Sequence, residues 1–179
     1  MNRRVQNQIE AAPIYVRGIS VDARQRAAVR VARVLAQGYR AYHGGNLGSR
    51  TELADSSKDY GGFHVGTSKA AEARIAEHVE DELDGPFYIY TVDLRSRHPY
   101  LPAGRILDEK YHADCTVLDD IADEHSLARW RLLRAGYDIV PYVNRWEDRG
   151  SVSFIVLDPA LVVLDAKRRY LSYRRNPCK

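Results

Sequence analysis

Apolar positions recur with a helical period over residues 21–37. They predict an amphipathic helix with one buried face, formed by Val21, Ala28, Val31, Ala32 and Leu35. Ser20 precedes this run as an N-cap residue, and Gly38 follows it as a C-terminal stop. The opposite face carries Arg26, Arg30 and Arg33. Exposure of this face to solvent is enough to explain these three arginines.

Strand and helix signals then alternate through the middle of the chain. Residues 39–48 predict a short strand that opens into a glycine-rich turn, and residues 63–65 predict a brief strand. Thr67 is the expected N-cap of an alanine-rich helix that runs to Leu83. Strong strand formers over residues 86–94 predict another strand.

The C-terminal part predicts more helix and then three strands. An acidic helical turn is expected to begin at Asp114 or Thr116. A further helix is expected to pack through Leu127, Trp130 and Leu133. Three strands separated by turns follow over residues 137–164.

This order of elements predicts an α+β fold with a mainly antiparallel sheet. The chain has no sustained βαβ alternation and no Gly-x-Gly-x-x-Gly motif, which argues against a Rossmann domain. Its 179 residues fit one domain, residues 1–179, that buries roughly 70% of its unfolded surface. We expect residues 1–19 to form a loosely held N-terminal arm and residues 166–179 to form a basic C-terminal tail.

Composition points to a soluble globular protein with no membrane partner. No apolar run reaches the length of a transmembrane helix, and the N-terminus lacks the apolar segment of a signal peptide. Two cysteines, Cys115 and Cys178, are too few for a disulfide framework. A reducing cytoplasm is therefore the expected compartment.

Two further composition signals bear on ligands. His112 and His125 lie near Cys115 in the sequence, but the spacing matches no established ligand pattern, so no metal site is expected. The net charge is +3, and residues 167–175 interleave cations with tyrosines. Such a tail suits nucleic acid, an acidic partner or plain solvation, and all three readings stay open.

Candidate chemistry concentrates in three places. His43 stands at a predicted strand end before Gly44, where the backbone can approach a ligand closely. Thr67 begins a helix, whose N-terminus can hold an anion such as a pyrophosphate or simply be capped by the threonine. Residues 144–151 place two carboxylates, two arginines and an indole on one loop, which suits a substrate that develops positive charge or a solvated hairpin tip.

Read together, three segments resemble the ADP-ribosyltransferase superfamily, and most closely its compact bacterial and phage-encoded domains. The likeness covers about residues 38 to 165. The segments are Tyr42-His43-Gly44-Gly45, then Gly62-Phe63-His64-Val65-Gly66-Thr67, and last Tyr142-Val143-Asn144 with Glu147-Asp148-Arg149-Gly150-Ser151-Val152-Ser153.

The resemblance implies a split β-sandwich with flanking helices that binds NAD in a central cleft. His43 and Gly44 would hold the nicotinamide ribose and carboxamide, and Phe63 or His64 would lie near the nicotinamide. Glu147 would be the catalytic acid, with Asp148 as the alternative. The implied cofactor-binding set is completed by Thr67, Asn144 and Ser151.

The implied activity is mono-ADP-ribosylation, of the effector, toxin or phage host-takeover type. NAD would be cleaved at its nicotinamide–ribose bond and ADP-ribose passed to a macromolecule, a protein more readily than a nucleic acid. Since nicotinamide leaves neutral, one carboxylate can suffice. The alternatives are an NAD glycohydrolase, or a non-enzymatic module that binds nucleic acid or protein through its basic tail and arginine helix.

Overall fold

A computed structural model describes residues 12–18, 20–47, 62–80, 86–108 and 124–170. In these ranges it contains three α-helices, which are α1 (Val21–Gln37), α2 (Ser68–Glu80) and α3 (Glu124–Arg134). It contains seven strands, which are β1 (Tyr39–Gly45), β2 (Phe63–Val65), β3 (Tyr88–Leu94), β4 (Leu107–Asp108), β5 (Ile139–Val143), β6 (Val152–Val156) and β7 (Val163–Arg169).

The strands form two sheets. The first has the order β1-β3-β7 and is antiparallel. The second has the order β2-β6-β5-β4, in which only the β4–β5 pair is parallel. The predicted α+β class, with mainly antiparallel pairing, is therefore confirmed.

The two sheets share one hydrophobic core. Alternate residues of β6, namely Val152, Phe154 and Val156, point into it, as the two-residue period of a strand requires. Tyr39 of β1 meets Phe154 of β6 at a ring-centroid distance of 5.3 Å. Burial raises the pKa of Tyr39 to about 12, so this tyrosine stays neutral.

Helix α1 closes one side of this core and follows its local signals. Its buried positions are Ala23, Ala27, Ala28, Val31 and Leu35. The Ser20 hydroxyl oxygen accepts the Ala23 N–H at 3.2 Å, and Gly38 ends the helix with a φ of 106°. Both predicted ends of the helix are confirmed.

The outer face of the second sheet packs against α3. Val140, Tyr142, Ile155 and Leu157 form a second cluster there, with Leu132 and Leu133 against it. Trp130 is 53% exposed, so the prediction that α3 packs through Trp130 is wrong. The Arg134 guanidinium lies 4.7 Å from the Trp130 ring instead, a cation–π contact.

The N-terminal segment is not loosely held where the structure describes it. Ile14 is 1% exposed, and its carbonyl accepts the Val152 N–H at 2.8 Å. The Val16 N–H donates to the Gly150 carbonyl at 2.8 Å. The expectation for residues 12–18 is therefore wrong, because this segment pairs with the start of β6 and buries alternate side chains.

The expected C-terminal tail also needs correction. Strand β7 runs through Arg169, which pairs with Tyr88 of β3, so residues 166–169 belong to the first sheet. Residues 171–179 of the tail, the acidic turn expected at Asp114 or Thr116, and Leu83 lie outside the described residues.

The described residues contain neither a membrane-spanning helix nor a cluster of metal-binding side chains. In those ranges, every helix falls short of the length and apolarity needed to cross a bilayer. The same residues contain no group of three or more His, Cys, Asp or Glu side chains that could hold a metal ion. The side chains of His112, Cys115 and His125 lie outside the described part.

The packed N-terminal segment can be tested by shortening its buried side chain. We expect Ile14→Ala to lower the free energy of unfolding by about 2 to 5 kcal/mol, since a buried isoleucine is replaced by a cavity. Chemical denaturation would measure it. Val29→Ala, at a position 73% exposed, should change stability by less than about 0.5 kcal/mol. If both substitutions change the free energy of unfolding by the same small amount, the packing of Ile14 in the core is contradicted.

Candidate active site

The two sheets meet where β1 passes the end of β2. Tyr42 of β1 and Gly66, just after β2, exchange two backbone hydrogen bonds, each of 2.8 Å. Gly66 is followed by Thr67, whose hydroxyl donates to Asp148 at 2.7 Å. The β2–α2 junction therefore contacts both the end of β1 and the loop after β5.

His43 lies on the core side of β1, beside Phe63. The two rings are 4.5 Å apart between centroids, and Tyr90 lies 6.2 Å from the imidazole on the neighbouring strand. The His43 Nδ1 is 2.7 Å from the His64 carbonyl oxygen. A carbonyl can only accept, so the Nδ1 nitrogen carries the proton of this hydrogen bond.

Phe63 and His64 point to opposite faces of the second sheet. Phe63 lies in the shared core against His43, whereas the His64 ring faces Tyr142 on the outer side, 6.1 Å away between centroids. The structure therefore brings Phe63 to His43 and does not bring the His64 ring there. Only the His64 carbonyl contacts the imidazole.

Gly44 presents its backbone polar groups away from β3. The N–H and the C=O of Tyr42 both form hydrogen bonds with Gly66, which lies on the edge of β1 opposite β3. These two groups therefore point away from β3. Backbone direction repeats every second residue in a strand, so the N–H and C=O of Gly44 point the same way. An N–H donor and a C=O acceptor thus lie side by side next to His43.

The glycine is also required by packing. A Cβ at Gly44 would lie 2.1 Å from the Ala71 carbonyl oxygen, so only glycine lets α2 approach β1 this closely. A Cβ at Gly45 would lie 3.0 Å from the His43 Nε2. The two glycines therefore set the position of the helix and leave room for the imidazole.

The loop after β5 is built around Asn144, which is 2% exposed. Its Oδ1 accepts the backbone N–H groups of Trp146 at 3.0 Å and Glu147 at 3.1 Å, and its Nδ2 donates to Ser153 Oγ at 3.1 Å. Gly150, with a φ of 86°, closes the loop through an N–H bond of 2.7 Å to the Asn144 carbonyl. Asn144 therefore shapes the loop, and its contact with a cofactor stays a prediction.

Asp148 anchors this loop from inside the protein. Its side chain is 1% exposed and accepts hydrogen bonds from Thr67 at 2.7 Å and from Tyr15 at 2.9 Å. The Lys69 ammonium lies 3.1 Å away. Burial alone would raise the pKa of Asp148, but these three donors outweigh it and lower the pKa below its ordinary value.

The same contacts explain Thr67. Its hydroxyl oxygen accepts the Ala70 N–H at 3.1 Å, so the predicted cap of α2 is confirmed. The Asp148 carboxylate is an anion that this helix start meets in the structure. A contact between Thr67 and a pyrophosphate stays a prediction.

Glu147 differs from its neighbour Asp148. It is half-buried, and among the described residues no hydrogen bond or ion pair engages its carboxylate. Trp146 beside it is 82% exposed, while Arg145 is held by an ion pair with Asp108. The loop is thus fixed on both sides of Glu147, whose carboxylate has no hydrogen-bond or ion-pair partner among the described residues.

Ser151 was also expected to bind cofactor. It is completely buried where the N-terminal segment meets the loop, paired by a β-bridge with Tyr15. Its Oγ has no hydrogen-bond partner among the described residues. This side chain packs inside the protein, and a role for it in binding a cofactor stays a prediction.

Sequence reasoning did not identify Tyr15 and Lys69 as parts of this region. Lys69 carries one available signal, because a cation in the first turn of a helix opposes the macrodipole unless a carboxylate lies nearby. Tyr15 carries none, because it is 133 residues from Asp148 in the sequence.

Comparisons of the chain with protein-family models, with curated proteins and with solved structures found no match.

The anchoring role of Asp148 predicts a pH-dependent stability difference. At neutral pH, Asp148→Asn should lower the free energy of unfolding by about 1 to 3 kcal/mol, because hydrogen bonds to a charged group are weakened. Since the folded-state pKa is lowered, the carboxylate stabilises the fold above the ordinary aspartate pKa of about 4. This contribution is lost as the pH falls through the lowered pKa.

Denaturation measured from pH 7 down to about pH 2 tests this expectation. The difference in the free energy of unfolding between the natural chain and Asp148→Asn should become smaller as the solution is acidified below about pH 4. Glu147→Gln, one residue away and without those partners, is the matched control and should leave stability nearly unchanged. If this difference in the free energy of unfolding is the same at all pH values, the anchoring role of Asp148 is contradicted.

Proposed function

We propose that this chain is a mono-ADP-ribosyltransferase that cleaves NAD at the nicotinamide–ribose bond. Its two sheets around one core are compatible with the split β-sandwich that the motifs imply. The observation that carries the proposal is that the β2–α2 junction contacts both the end of β1, through Gly66 and Tyr42, and the loop that bears Glu147, through Thr67 and Asp148.

The residues at this junction suit the nicotinamide end of NAD. A carboxamide needs one hydrogen-bond donor and one acceptor, and the outward N–H and C=O of Gly44 supply such a pair. Phe63 and Tyr90 are buried aromatic side chains that pack near the His43 ring, at centroid distances of 4.5 Å and 6.2 Å, and make its surroundings apolar. These features favour His43, Gly44 and Phe63 as the cofactor-binding residues.

Glu147 is the acid that we assign to the chemistry. Cleavage of the nicotinamide–ribose bond develops positive charge on the ribose, and an oriented carboxylate stabilises that charge. Asp148 is poorly suited to this role, because its carboxylate is buried and engaged by three side chains. Glu147 has no such partners among the described residues, and Asn144 fixes its backbone.

The acceptor that we propose is a macromolecule, and a protein side chain before a nucleic acid. An effector, a toxin or a phage protein acting on its host would have this activity. NAD glycohydrolysis, with water as the acceptor, uses the same bond cleavage and is the second candidate. Mass spectrometry of lysate proteins after incubation with NAD separates the two, because only transfer leaves an ADP-ribose adduct.

Removal of the proposed acid should abolish turnover without unfolding the protein. We expect Glu147→Gln to reduce NAD consumption by about a hundredfold or more, the typical effect of losing one charge-stabilising group. Release of nicotinamide, measured by chromatography, gives the rate. Glu77→Gln, an exposed carboxylate on α2, is the control and should retain full activity. Unchanged consumption in Glu147→Gln would exclude this residue from the mechanism.

Binding can be tested apart from chemistry. A saturating ligand that binds only the folded state raises its stability, by about 2.7 kcal/mol at one hundred times its Kd. We expect NAD to raise the melting temperature of the natural chain and of Glu147→Gln, but to raise that of His43→Asn much less. His98→Asn, in an exposed loop, should respond like the natural chain. No shift in any of the four proteins would contradict the proposed NAD site.

A further inference from the structure

The outward face of α1 carries an exposed row of arginines. Arg26, Arg30 and Arg33 are all exposed, while the opposite face of this helix is buried in the core. An α-helix repeats every 3.6 residues, so positions four and three apart lie one above another on the same face. Val29, 73% exposed, is the apolar residue that stands among them.

Contacts among the described residues do not account for this row. Among the described residues, no hydrogen bond or ion pair engages Arg26, Arg30 or Arg33. Asp22 lies one turn before Arg26, but the two do not form an ion pair. The arginines also do not serve the helix dipole, because the last turn of α1 contains no basic residue.

Like charges at these spacings destabilise a helix. Within the described residues the arrangement is therefore unfavourable, and an anionic partner would relieve it. The helix core is well packed and does not depend on the arginines, so their charge is available for binding.

Spacing and composition indicate which anion fits. With a rise of 1.5 Å per residue, Arg26 and Arg33 lie roughly 10 Å apart along the helix axis. One strand of a duplex carries a phosphate about every 3.4 Å of axis, so three arginines span about three phosphates. A protein partner would usually be met by aromatic or large apolar anchors, and this face offers only Val29.

We propose that the arginine row of α1 binds the phosphate backbone of a nucleic acid without reading its sequence. Arginine donates hydrogen bonds to phosphate oxygens in a planar fork and keeps its charge at all relevant pH values. This surface would work whether or not the chain turns over NAD, so it does not rest on the proposed function. The binding energy comes largely from release of counterions and falls as salt rises.

Fluorescence anisotropy with a labelled 20-base-pair DNA duplex, repeated over a series of salt concentrations, tests the surface. The triple variant Arg26→Gln, Arg30→Gln, Arg33→Gln should bind at least about tenfold more weakly at low salt. The slope of the logarithm of its DNA-binding constant against the logarithm of salt concentration should be smaller in magnitude by about 2 to 3. Each lost phosphate contact lowers the magnitude of this slope by about 0.9. Glutamine keeps helix propensity, so circular dichroism should be unchanged.

A matched control removes the same charge from elsewhere. Arg97, Arg131 and Arg134 are exposed arginines outside α1, and changing all three to glutamine should leave most of the binding and of the salt slope intact. Lysine at positions 26, 30 and 33 should restore most of the affinity lost with glutamine.

Three results would overturn the proposal. The first is equal weakening by the α1 variant and by the control, which would show a non-specific effect of net charge. The second is a salt slope that the α1 variant leaves unchanged. The third is tight binding of poly-glutamate without binding of the duplex, which would assign this face to an acidic protein partner.

Discussion

The candidate site depends on the hydrogen bonds and the ion pair that hold the buried carboxylate of Asp148. A charge inside a protein is stable only when donors surround it, and two parts of the chain supply them, the N-terminal segment through Tyr15 and the start of α2 through Thr67 and Lys69. Loss of any one donor would leave the other contacts to hold an incompletely paired charge. The N-terminal segment, the start of α2 and the loop after β5 therefore have one preferred arrangement.

Much of the fold could be predicted because its signals are local. The ends of α1 follow from Ser20 and Gly38, which act within one turn of the helix. The strands of the second half follow from runs of β-branched and aromatic residues, and β5 and β6 are completely buried. The meeting of His43, Thr67 and the loop after β5 was predicted only through the resemblance, since spacing alone does not join them.

The remaining features depend on contacts between distant residues. Two alternating apolar positions, Ile14 and Val16, are too few to predict a packed segment. A helical spacing placed Trp130 on a buried face, but the structure exposes this ring beneath Arg134. The separate roles of Glu147 and Asp148 depend on which carboxylate turns inward, and no property of the sequence distinguishes two adjacent acidic residues in that respect.

The pairing of the N-terminal segment with β6 has a consequence for local dynamics. The amide protons of Val16 and Val152 are held by the backbone carbonyls of Gly150 and Ile14 within this one pairing. Proteins open to solvent in cooperative units, so these amides should exchange with deuterium at a common rate. Displacing residues 14–16 from β6 would also remove the hydrogen bond from Tyr15 to Asp148, so order in this segment is coupled to order in the loop that carries Glu147.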